Sequence, residues 1–75
     1  MLHVRRMERI PVESSSVASV GYDQVKCELE IEYRTGRTYR YLQVPVAAYR
    51  LLLRAPSIGD YVNRVIKPRF EAKPV

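Results

Sequence analysis

Cysteine, histidine and glycine are scarce in this chain, and each scarcity closes off a class of chemistry. Its 75 residues include one cysteine, Cys27, so neither an intramolecular disulfide nor a cysteine-based zinc site can form, and a reduced, cytoplasmic setting fits. The one histidine, His3, lies near the start. A Cys27–His3 nucleophilic pair would need that segment to fold onto a strand whose cysteine points into the core. The three glycines form neither G-x-G-x-x-G nor G-x-x-x-x-G-K-S, so no phosphate loop is present. No apolar window reaches the length of a membrane span, and M-L-H-V-R-R lacks the apolar core of a secretory signal. These absences argue against an enzyme, a cofactor or a membrane partner.

What is present suits a small basic domain. A chain this short cannot divide its apolar residues between two cores, so one domain is expected. At 47% hydrophobic and 28% charged residues it is too apolar to be wholly disordered. Ten of the thirteen basic residues are arginine and the net charge is +5. Arginine combines bidentate phosphate recognition with stacking on flat groups, which favours acidic partners, nucleic acid first among them.

V-A-S-V-G-Y, Val17 to Tyr22, reads as a strand followed by a turn at Asp23 and Gln24. In K-C-E-L-E-I-E-Y, Cys27, Leu29, Ile31 and Tyr33 alternate with Glu28, Glu30 and Glu32, predicting one buried and one wet face, with Cys27 a small core residue. The glutamates read as a solvated face, not a metal or acid–base site. The next strand, from Arg37 to Val44, returns across R-T-G. A type I turn with Gly36 in the left-handed position places Tyr33 opposite Arg37, Ile31 opposite Tyr39, Leu29 opposite Tyr41 and Glu30 opposite Arg40. That register turns both tyrosines of Y-R-Y toward the core. A one-residue slip would place them among the glutamates, on an exposed stacking platform.

A first helix follows, with Pro45 in its first turn, an apolar stripe of Val46, Tyr49, Leu52 and Leu53, and Pro56 beyond its end. Ser57 caps a second helix with Asp60 three residues on; its stripe is Ile58, Tyr61, Val62 and Val65, and Pro68 ends it. The fold expected is α+β: a three-stranded antiparallel meander packed on one face by two C-terminal helices. Residues 1–11 read as a flexible extension, 12–70 as the single domain and 71–75 as a tail. Met7 offers a second translation start, which would make residues 1–6 dispensable.

The stretch from Val12 to Phe70 resembles the KTSC domain, a short module named for its place at the C-terminus of some lysyl-tRNA synthetases and also found as a stand-alone protein. The matching features run in order: Val12, Ser14 and Ser15 of V-x-S-S; V-G-Y-D at Val20 to Asp23; L-x-I-x-Y-x-x-G at Leu29 to Gly36; Y-R-Y at Tyr39 to Tyr41; Val44 and Pro45 with Tyr49; and S-x-G-x-Y-x-N-x-x-I-K at Ser57 to Lys67. Val62 stands where the family more often has Phe. The association with a tRNA-handling enzyme implies RNA, either tRNA or single-stranded, as a partner.

Charge and resemblance together make a non-catalytic RNA-binding module the leading expectation. The candidate contacts are Arg50, Arg54, Arg64, Lys67 and Arg69 on the helices and tail, with Arg37, Tyr39, Arg40 and Tyr41 on the hairpin. The alternative is a protein-interaction module, such as a homodimer formed through a sheet edge or a helix stripe, with no nucleic-acid role.

Overall fold

The computed structural model describes residues 8–75. The readings of His3 and of residues 1–6 lie outside the described residues. Among the described residues five strands form one antiparallel sheet in simple sequential order: β1 (Arg9–Pro11), β2 (Val17–Asp23), β3 (Glu28–Tyr33), β4 (Thr38–Tyr41) and β5 (Ala72–Pro74). After β4 come α1 (Val46–Arg54) and a second helical run: α2 (Ile58–Tyr61), a π-helical turn (Val62–Ile66) and a closing turn, α3 (Lys67–Arg69).

The β2–β3–β4 meander and the two helical segments match the expected α+β plan, and the count of three strands is corrected to five. β1 and β5 come from the segments read as extension and tail. Each is three residues long and exposed throughout, too short to show the alternation by which strands are recognised. What places them is pairing: Ile10 lies opposite Val20, and Tyr39 opposite Pro74. Pro11 and Pro74, which cannot donate to a ladder, sit in these outermost strands, where proline is tolerated.

The β3–β4 register is the expected one, with Leu29 opposite Tyr41, Glu30 opposite Arg40 and Ile31 opposite Tyr39. The Gly36 N–H donates to the Tyr33 carbonyl at 2.9 Å, and the Tyr33 N–H to the Arg37 carbonyl at 2.8 Å. Gly36 has φ +96°, a conformation that favours glycine.

Cys27 departs from the alternation read for it. Asp23 accepts hydrogen bonds from the Val25 and Lys26 N–H groups at 2.9 and 3.1 Å, drawing residues 23 to 27 into the turn. Cys27 closes that turn with φ +57° and is exposed. It is therefore not a core residue.

One face of the sheet carries the core. Val17, Val20, Leu29 and Ile31 pack with Val44, Leu52, Ile58, Val62 and Ile66, all buried, and each such side chain contributes roughly 1.5–3 kcal/mol through removal from water. α1 contributes only Leu52 to the buried set; Leu53, read as part of its stripe, is 40% exposed and Leu51 57%. Tyr49 fixes the helix instead, stacking on Tyr22 with ring centroids 4.8 Å apart, while the Tyr22 hydroxyl donates to the Val44 carbonyl at 2.5 Å.

In the second helix the Ser57 hydroxyl accepts from the Asp60 N–H at 3.2 Å, the cap read from the sequence. Beyond it the apolar face shifts. A π-turn takes more residues per revolution, so Ile66, eight positions after Ile58, is fully buried and Val65 only half-buried. Pro68 supplies a cause: in a regular α-helix its ring would strike the carbonyl of Arg64, and a widened turn just before it relieves that clash.

The opposite face of the sheet is a charge ladder. Glu30, 5% exposed, accepts from Arg9 at 2.7 Å and from Arg40 at 2.7 and 3.0 Å. Glu28 lies 3.7 Å from Arg40, and Glu32 accepts from the Ser19 hydroxyl at 2.7 Å. Burial alone would raise the pKa of Glu30, but the hydrogen bonds from Arg40 and Arg9 hold it below the usual carboxylate range. The three glutamates thus form a strand-locking network with arginines rather than a wholly solvated face.

Candidate functional site

The helices do not cover the whole core face. Toward β4 and β5 a cleft of about 820 Å³ remains open, bounded by the β3–β4 turn, the serine loop before β2 and the end of the second helical run. Register explains the opening. Tyr39 and Tyr41 lie beside Pro74 and Ala72 on β5, so large rings on β4 neighbour small side chains that fill little space.

Aromatic rings form its floor. Tyr33 and Tyr39 pack edge to face with centroids 6.1 Å apart, and the hydroxyls of Tyr33 and Tyr41 are hydrogen-bonded at 2.8 Å. Tyr41 is 4% exposed, its ring part of the core, whereas Tyr33, Tyr39 and Phe70 are half-buried. Burial first, and then the Tyr41 hydroxyl, push the Tyr33 phenol well above its ordinary pKa, so Tyr33 stays protonated at neutral pH. One hydroxyl donates to the other, leaving the acceptor's own hydrogen free to donate elsewhere.

Cations form the rim. Lys67 Nζ lies 5.3 Å from the centroid of the Tyr33 ring, a cation–π contact. Arg37 lines the cleft from the far side of the hairpin turn. Arg34 also lines it and is tied to the serine loop, donating from Nε to the Ser14 carbonyl at 2.7 Å. That loop is seated on the second helical run: a Cβ on Gly59 would stand 2.5 Å from the Ser16 hydroxyl oxygen, so the absent side chain permits the approach.

Of the nine residues singled out from the sequence, four meet here: Arg37, Tyr39, Tyr41 and Lys67. Arg69 borders an adjoining hollow of about 450 Å³ that shares Phe70 with the cleft. Arg40 lies on the opposite face of the sheet, bound to Glu30 and Glu28, and its bond to Glu30 raises its pKa further. Arg64 pairs with Asp60 at 3.2 Å, and both are exposed. Arg50 and Arg54 are exposed on α1, away from the cleft. The helical arginines and the hairpin tyrosines therefore do not form one surface.

Sequence reasoning passed over Tyr33, Phe70 and Arg34 as site residues. The signal for Tyr33 was its register with Arg37, which puts an aromatic and a cation on the same face at the sheet end; how far the helices reach across that face could not be read. Among the described residues no group of three or more His, Cys, Asp or Glu side chains could hold a metal ion, and no helix is long and apolar enough to cross a membrane.

Comparison with known proteins bears on the same segment. The family model for the KTSC domain matches residues 13–70. An uncharacterized protein of Stutzerimonas stutzeri is 43% identical over 63 residues, 84% of this chain and 89% of that protein. A lysine–tRNA ligase of Nostoc punctiforme is 36% identical over 59 residues, 79% of this chain but 10% of the ligase. The crystal structure of a KTSC domain protein from Yersinia pestis superposes with a TM-score of 0.90 at 40% identity, covering 93% of this chain and 99% of that one. By sequence and by fold, the chain belongs to the KTSC domain family.

Proposed function

We propose that the protein is a non-catalytic, cytoplasmic RNA-binding module whose contact surface is the cleft between the β3–β4 turn and the end of the second helical run. The observation that carries this reading is the convergence of Arg37 and Lys67 with the rings of Tyr33 and Tyr39 in one open concavity. Cations beside exposed aromatic surface suit a polymer with anionic phosphates and flat bases. The matched lysine–tRNA ligase acts, by its name, on a tRNA, which agrees with an RNA partner.

Fluorescence anisotropy of labelled single-stranded RNA, hairpin RNA and tRNA, each at low and physiological salt, tests the reading against a basic protein of similar size. Saturable binding above the control at physiological salt is expected, with log affinity falling by about 0.7 per phosphate neutralised on a single strand. Binding no better than the control removes it.

A second reading, a protein-interaction module, is favoured by the exposure of Leu51 and Leu53 on α1. Association through a sheet edge is disfavoured, because both edge strands are three residues long and each contains a proline.

A further inference from the structure

The three tyrosines at the cleft are not equivalent. Tyr41 has its ring in the core and offers the cleft little beyond its hydroxyl, which is engaged with Tyr33. Tyr33 has the ammonium group of Lys67 over its ring and the Tyr39 ring against it edge to face. A base stacking on Tyr33 from the cleft would have to displace that ammonium group. Tyr39 lines the cleft, is half-buried, and neighbours Pro74 across the strand pair. Among the described residues no cation covers its ring as Lys67 covers that of Tyr33. It is the tyrosine with ring surface left to offer.

We infer that the cleft takes one unpaired RNA base, stacked on Tyr39, with the neighbouring phosphates against Arg37 and Lys67. The inference rests on the RNA-binding reading and narrows it from a basic surface to a site for a single exposed nucleotide. The interior of a duplex cannot use this site, since each base there already has both faces covered by its neighbours and must be unstacked to meet the ring. The deep, narrow major groove of A-form RNA also keeps base edges away from side chains. Lys67, held over Tyr33, has a double part: it occupies the ring that would otherwise compete for the base, and it keeps a cation in the cleft that Tyr39 also lines. A single stacking ring implies modest sequence preference, because every base has a π-face, and a dependence on strand state that a charge-only surface lacks.

The experiment compares three labelled RNAs: a blunt duplex of two separate strands, the same duplex with a short 3′ overhang, and that overhang made abasic, with the same phosphates and no bases. The overhang RNA should bind roughly 5- to 150-fold more tightly than its abasic counterpart, the range seen when one stacked base is lost. In Tyr39→Leu, checked for folding by its melting curve, that difference should vanish while the weaker phosphate-dependent binding remains. NMR titration of the wild-type protein with the overhang strand reads the same contact without a variant, through upfield shifts of the Tyr39 ring protons. If base-bearing and abasic RNAs bind alike, saturably and above a charge control, the single-base site is overturned and the RNA reading stands. If the difference persists in folded Tyr39→Leu, or the shifts fall on other rings alone, the assignment to Tyr39 is overturned. If no RNA exceeds the charge control, both readings fall.

Discussion

The ammonium group of Lys67 stands 5.3 Å from the centre of the Tyr33 ring, and the backbone N–H of the same lysine bonds back to the Val62 carbonyl, five residues earlier. The two facts are connected. A helical turn of ordinary pitch between Val62 and Lys67 would rotate every later residue, burying a different side chain in place of Ile66 and carrying Lys67 off the aromatic floor. Pro68, by disfavouring the regular turn, thus helps to set a charge beside the cleft.

Replacing Lys67 with Gln keeps much of the stem and removes the charge. Loss of the contact with Tyr33 should cost about 0.5–1 kcal/mol, the scale of an exposed cation–π pair, read as a small fall in melting temperature. The salt dependence of RNA affinity should lose about 0.7 of its slope. An unchanged slope would take Lys67 out of the interface.

Tyr41 and Tyr39 should separate fold from site. Tyr41→Ala removes a ring that is 4% exposed and should destabilise by about 3–5 kcal/mol, a large share of the stability of a domain this small. Tyr39→Ala, at a half-buried position, should cost clearly less. Chemical denaturation of the two variants side by side provides the check, and equal costs would place Tyr39 in the core.

Glu30 anchors β1 and β4 to β3 from the charged face. In Glu30→Ala both Arg9 and Arg40 lose their closest partner; because those arginines keep about a third of their side-chain surface in water, a cost of about 1–2 kcal/mol is expected rather than that of a fully buried pair. The pH dependence follows from the lowered pKa of the folded state. Stability from Glu30 is fully present above the unfolded-state value, near 4.3, and is lost as pH falls through the folded value. Acid unfolding followed by circular dichroism should therefore show a weaker pH dependence in Glu30→Gln, and an identical acid limb would contradict the network.

Cys27 should react with a maleimide in the native protein at a rate close to that in urea, since its side chain is exposed in the β2–β3 turn. Protection of the thiol until the protein unfolds would restore the buried position that its alternation with Leu29 and Ile31 suggested.

How far the fold could be read varied with the reach of the interactions involved. The β3–β4 hairpin was legible because three local signals agree: alternation over Leu29, Ile31 and Tyr33, a glycine at the one position needing positive φ, and opposite charges at Glu30 and Arg40. The cap of α2 was legible because Ser57 and Asp60 are three residues apart. β1 and β5 were not, because three residues carry no period and their strand state rests on partners found elsewhere in the chain. The apolar stripe of the second helix, read to end at Val65, passes to Ile66 through a π-turn, which a fixed helical period does not anticipate. Cys27 was misread because the Asp23 side chain lengthens the turn by residues that continue the strand's alternation. The candidate site was legible as residue types and not as a place: Arg37, Tyr39, Tyr41 and Lys67 converge, while Arg40, Arg50, Arg54 and Arg64 point to other surfaces.

RNA affinity at physiological salt should be measured for two double variants that remove the same charge, Arg37→Gln with Lys67→Gln at the cleft and Arg50→Gln with Arg54→Gln on α1. The cleft pair should lose most of the binding and the α1 pair little. Equal losses would mean that net charge, not the cleft, holds the RNA, and a larger loss from α1 would move the interface away from the aromatic floor altogether.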